Sequence, residues 1–107
     1  EWDYGDYEGL TTSQIRAQVP GWTIWRGPVP GGETAAQVAA RARRVIDECV
    51  AAPGDSLLFA HGHILRVLSA VYLGFRPEHG AQFALGPATI NVLGHEHEYS
   101  TLRRWNA

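Results

Sequence analysis

Neither lysine nor methionine occurs among the 107 residues of this chain, and there is a single cysteine. One thiol excludes an intrachain disulfide framework and suits a reducing cytoplasm. Cys49 falls on the apolar face of a predicted helix, so it reads as a small buried hydrophobe. Without methionine there is no initiator, and the sequence starts abruptly at Glu1. That reads as a removed leader or as a piece of something longer; no signal-peptide pattern selects between the two. No apolar run approaches the ~18 residues of a membrane span, so no membrane contact is expected. A basic field is missing too: the formal net charge of −2 and pI near 6.2 argue against nucleic acid as a partner. All nine cations are arginine, which reads more simply as genome composition than as a preference for bidentate anion contacts. Internal repeats and low-complexity segments are also lacking.

What remains suits one small globular domain with a thin core. The chain is 45% hydrophobic and carries four tryptophans, and a chain of this size buries roughly two-thirds of its unfolded surface. The opening, Glu1 to Leu10, mixes acids, aromatics and glycines without a period and reads as a loop. Thr11 with Gln14 forms a capping-box pattern, predicting a short helix that stops at Pro20-Gly21 with Ile15 and Val19 on its apolar face. Trp22 to Gly32 reads as an ordered surface loop, because its tryptophans need something to pack on; it could roof a pocket. Thr34 with Gln37 repeats the capping box and opens the longest helix, ending near Ala52, with Val38, Ala42, Val45, Ile46 and Cys49 on one face.

The organising stretch is Ser56 to Leu73. A short apolar run, Leu57–Ala60, follows the turn at Pro53-Gly54-Asp55, and helical spacing then takes over at Ile64, Leu65, Leu68, Val71 and Tyr72. A buried strand therefore feeds a helix, with His61 and Gly62 at the junction, where free N–H groups and the positive end of the dipole favour an anion. Strands are expected at Thr89–Gly94 and Ser100–Trp105, joined by a turn at Glu96-His97-Glu98, with Leu102 a core contact. Helix, strand, helix, strand, strand indicates the α/β class with an antiparallel pair near the C-terminus.

Three segments carry a resemblance. Glu1-Trp2-Asp3-Tyr4-Gly5-Asp6-Tyr7-Glu8-Gly9-Leu10, Pro30-Gly31-Gly32-Glu33-Thr34 and Ala60-His61-Gly62-His63-Ile64-Leu65-Arg66 resemble, in that order, three motifs of the histidine phosphatase (phosphoglycerate mutase-like) superfamily. The resemblance implies a three-layer α/β/α fold whose largely parallel sheet includes Leu57–Ala60. It also implies a phosphomonoester hydrolase working through a phosphohistidine intermediate. In that reading Glu1 is the proton donor and later the base, best served by a raised pKa, and His61 contacts the transferring phosphoryl group. Gly62, His63, Thr89 and Trp22 would bind substrate, a phosphorylated small molecule, with no cofactor and no metal. Glu8 is expected to tie down loop amides, Glu33 to steady its helix through the dipole, and Arg66 to pair with a carboxylate.

The family's nucleophile is a histidine in an Arg-His-Gly motif ahead of the acid glutamate, and this chain contains no Arg-His-Gly. It therefore looks like the carboxyl-terminal part of one such domain, residues 1–107, whose missing amino-terminal segment would be its first partner. A homodimer stays open. Gly86-Pro87-Ala88-Thr89 stands where many relatives carry Asn-Ala-Ser. Only a short helix and loop separate Glu1 from the Pro30 segment, which favours a phosphatase over phosphoglycerate mutase-type transfer. Two alternatives come from outside this class. One is a non-catalytic module; the other is a metal-binding module using the pairs His61-Gly62-His63 and His95-Glu96-His97.

Overall fold

The helices begin where the capping boxes place them. In the computed structural model, which describes residues 1–107, Thr11 Oγ1 accepts from Gln14 N at 3.2 Å and Gln14 Oε1 accepts from Thr11 N at 2.8 Å. The resulting helix, α1, spans Thr12–Gln18. Thr34 and Gln37 repeat the exchange at 3.2 and 2.8 Å to open α2, Ala35–Ala51. The third helix, α3, runs over Gly62–Tyr72 with His61 as N-cap. Single 3-10 segments occupy Gly5–Tyr7 and Pro77–Gln82. A hairpin of β1, Val92–Glu96, and β2, Tyr99–Arg104, closes the chain, turning through His97 at φ +54°. Its register slips between Val92 and Leu93. Beyond the slip Ile90 and Ala107 exchange backbone hydrogen bonds at 2.8 and 3.3 Å, so pairing extends past the assigned strands.

The core forms where α2 meets α3. Val38, Ala39 and Ala42 of α2 and Val67, Leu68 and Val71 of α3 are buried in one cluster with Trp2, Ile15, Trp22 and Ile24. Only 13 of the 107 residues are buried, so the core is as thin as the chain length implies. The apolar face of α2 is fully buried only over its first half, with Ile46 half-buried against the cluster beyond it. Val45 is exposed and Cys49 half-buried, so the expectation of a buried thiol is corrected.

Of the expected sheet, the antiparallel pair is present and the sheet holds two strands. Leu57–Ala60 is not a strand here. Its backbone makes no hydrogen bond, because a strand exists only through a partner that takes up its N–H and C=O groups. Leu57 is 79% and Phe59 88% exposed. Leu102, expected as a core contact, is exposed, and it is its cross-strand partner Leu93 that packs against the core. The radius of gyration, 14.8 Å, exceeds the ~13 Å of a compact chain this long.

Candidate active site

Two loops far apart in sequence dock on one another and carry Glu1 to the start of α3. Asp6 N donates to Pro30 O at 2.8 Å and Glu33 N to Asp3 O at 2.9 Å. The approach is backbone on backbone. A Cβ on Gly32 would lie 2.4 Å from Asp3 O, and one on Gly5, whose φ is +53°, would lie 2.3 Å from Gly32 N. Only glycine fits either position. Glu33 fastens the same contact with its side chain: Oε1 accepts from Asp3 N at 2.9 Å, and its carbonyl accepts from Trp2 Nε1 at 2.9 Å. Glu33 is therefore an anchor for the opening loop, where the sequence reading gave it a dipole role.

Held there, the Glu1 carboxylate accepts from Trp2 N at 2.8 Å, His63 N at 3.0 Å and Ile64 N at 2.9 Å. The last two are free N–H groups of the first turn of α3, where a negative charge is favoured by both hydrogen bonding and the dipole. Burial pushes its pKa up. The N–H groups of Trp2, His63 and Ile64 and the charge of His63 push it down and prevail, so the carboxyl sits below its ordinary value. This corrects the expectation of a raised pKa: amides delivered by α3 outweigh desolvation.

His63 faces the carboxylate, Nδ1 to Oε2 4.0 Å, and its Nδ1 lies 2.6 Å from the Tyr4 hydroxyl. Edge contacts to Trp25 at 5.4 Å and Trp2 at 6.3 Å box the ring in. Burial holds His63 below its ordinary pKa, and Arg66 adds to this against the pull of Glu1. The Tyr4 hydroxyl is pushed up to about 12, by burial first and then by the Glu1 charge. Arg66 lies 4.8 Å over the Trp25 ring and donates to the Gly80 and Ala81 carbonyls. It meets no carboxylate, which corrects the expected pairing; turning its guanidinium onto Trp25 and the 3-10 segment satisfies its donors locally.

Of the predicted site residues, the structure gathers Glu1, Gly62 and His63 at the start of α3. His61 is their neighbour as N-cap, exposed and without a side-chain hydrogen bond. Trp22 is only 6% exposed, its Nε1 donating to Pro28 O. It is thus part of the core and the inner wall of a 440 Å³ cleft that it shares with Tyr4, Trp25 and His63, not an outer lid. Thr89 is elsewhere: its hydroxyl donates to Gly86 O at 2.9 Å, and it lines a separate 630 Å³ groove beside Leu57 and Ile90. Glu8 lines the cleft and binds no loop amide, since the capping box of α1 already satisfies that turn. No three His, Cys, Asp or Glu side chains converge as a metal-binding group. The sequence reading overlooked Tyr4 and Arg41. Tyr4 could have been found from its place in the quoted motif, whereas Arg41 stands on a helix face that looked merely solvated.

A profile of the histidine phosphatase superfamily (branch 1) matches residues 1–107, all three motif segments included. The chain belongs to the histidine phosphatase superfamily. Among similar members, an acid phosphatase of Mycobacterium tuberculosis is 39% identical over 99 residues, covering 91% of this chain and 49% of the relative. A sedoheptulose 1,7-bisphosphatase of Saccharomyces cerevisiae is 35% identical over 92 residues, 69% of this chain and 34% of its own. A solved structure from a Mycobacterium tuberculosis open reading frame superposes with a TM-score of 0.91 at 37% identity, over 99% of this chain and 56% of that one. A mycobacterial glucosyl-3-phosphoglycerate phosphatase, solved with inorganic phosphate, gives 0.81 at 32% identity over 100% and 61%. The histidine phosphatase chain described here thus spans about half the length of the curated relatives it matches, or less.

Proposed function

We propose that the intact protein carrying this chain hydrolyses phosphomonoesters through a phosphohistidine, and that these 107 residues form part of its single catalytic domain. The observation that carries the reading is the Glu1 carboxylate seated at the first turn of α3, next to the free imidazole of His61. The phosphatases among the relatives support it. An imidazole nitrogen outside these residues attacks phosphorus while the bond to the ester oxygen breaks, and Glu1 gives that oxygen its proton. Water then attacks phosphorus, the P–N bond breaks, and Glu1 takes the water's proton as phosphate leaves. Glu1 is ionised in the free protein. A phosphate dianion arriving beside it raises its proton affinity and lets it act as the acid.

The leaving alcohol occupies the cleft walled by Trp22, Ile24 and Trp25, which fits small phosphate esters with apolar parts. The short connection from Glu1 to Pro30 supports hydrolysis over mutase transfer. The one free cysteine is in keeping with a cytoplasmic setting, and no helix is long and apolar enough to cross a membrane. Steady-state kinetics on the intact protein test the assignment. His61→Ala lowers kcat by roughly 10²–10³-fold, the scale for losing a transition-state donor. Glu1→Gln slows alkyl phosphates much more than p-nitrophenyl phosphate. Equal losses on both substrates would remove Glu1 as the acid.

A further inference from the structure

Arg41 makes three contacts that no mechanism above uses. Its Nε donates to Glu33 Oε2 at 2.7 Å and its Nη2 to Glu33 Oε1 at 2.8 Å. The same Nη2 donates to the main-chain carbonyl of Glu1 at 3.0 Å. Glu33 in turn holds the next two residues, through Asp3 N and Trp2 Nε1. The acid residue is therefore gripped on its backbone by one ion pair while its carboxylate lies against α3.

We propose that Glu33 and Arg41 are positioning residues for Glu1, setting the height of its main chain so that the carboxylate meets the first turn of α3. The inference rests on the reading of Glu1 as the acid. The chemistry favours this pair over a plain surface ion pair. A guanidinium can bridge both carboxylate oxygens and still reach a third acceptor in its plane, which an ammonium cannot do in one geometry. Release of the clamp leaves the Glu1 main chain without a hydrogen bond of its own, held by its carboxylate and, one and two residues on, by Trp2 and Asp3. An acid displaced by about 1 Å loses its alignment with the departing oxygen, and misplacement on that scale costs up to ~100-fold in rate.

The test uses the intact protein, with p-nitrophenyl phosphate as a good leaving group and glycerol 2-phosphate as a poor one. Arg41→Lys keeps the charge but gives up the bridge. We expect kcat on glycerol 2-phosphate to fall roughly 10-fold or more, kcat on p-nitrophenyl phosphate to change less than about 3-fold, and inhibition by inorganic phosphate to stay the same. Glu33→Gln should show the same split, and it decides the matter if Arg41→Lys does not fold. In a Glu1→Gln background neither substitution should lower the alkyl rate further. Equal losses on both substrates, in step with a lowered Tm, or no loss on either, overturn the proposal. If Glu1→Gln discriminates between leaving groups and the clamp variants do not, the clamp fails and the acid stands. If Glu1→Gln shows no discrimination, the acid assignment fails and takes the clamp with it.

Discussion

At the amino-terminal end of α3 Trp2 is 2% exposed and Glu33 has its amide, its carbonyl and both carboxylate oxygens engaged. On the flank of the same helix Leu57 and Phe59 stand 79% and 88% exposed, and no backbone group from Ser56 to Ala60 is hydrogen-bonded. The packed region mixes acids, aromatics and glycines while Leu57–Ala60 is wholly apolar, so hydrophobicity does not decide which of them is covered. What separates them is whether partners for the backbone lie within these residues. Loops can supply partners to one another locally, as Asp3 and Glu33 do, whereas a strand requires a second strand along its length.

The contrast can be broken by stability measurements. Trp2→Ala should cost about 3–5 kcal/mol, the usual loss for a buried tryptophan, measured by denaturant unfolding of the 107-residue chain. Phe59→Ala should stay within about 0.5 kcal/mol in the same chain, as an uncovered side chain does. A loss of several kcal/mol for Phe59→Ala in the intact protein would show that a further segment covers that face.

Acidification sharpens the comparison next, because the groups with shifted pKa values cluster at the packed end. His63 is held below its ordinary value, so the unfolded chain binds its proton first and stability falls as pH drops through ~6.5. Glu1 and Glu33 are held down as well, Glu33 chiefly by Arg41. Their contribution is complete above the ordinary carboxylate range and is lost as pH falls below it. Melting curves from pH 8 to 3 should show both declines, and Glu33→Gln should flatten the lower one. An unchanged acid limb would mean that Glu33 and Arg41 are not paired in solution.

Smallest is the capping effect. Thr34→Ala removes the bond to Gln37 N and should cost about 1 kcal/mol by chemical denaturation. A neutral result would show that tertiary packing alone fixes the start of α2.

The helices were legible because their signals are complete within one turn: Thr11 with Gln14, Thr34 with Gln37, and the spacing from Ile64 to Tyr72. The hairpin was legible to within three residues, its first strand starting at Val92 against an expected start at Thr89. The site was legible as a set of motifs and not as an electrostatic environment. The pKa direction of Glu1 depends on two amides some sixty positions away, which burial-based reasoning about a lone carboxyl does not anticipate. Arg41 escaped for a similar reason. Its partners are a side chain eight residues back and a carbonyl forty residues back, and neither spacing is periodic. Leu57–Ala60 read as a strand because propensity and bounding turns are local, while pairing is not.

The contact of Gly5 with Gly32 works as a mechanical stop. Because main chain abuts main chain there, the separation of the two loops at Gly5 and Gly32 is not set by side-chain size, whereas the seat of the Glu1 main chain four residues away depends on Arg41. The spacing of the two loops is thus a fixed dimension of the molecule, while the walls of the cleft beside them are made of side chains. Side-chain size at Trp22, Ile24 and Trp25 therefore shapes the cleft but has no part in how closely the two loops meet.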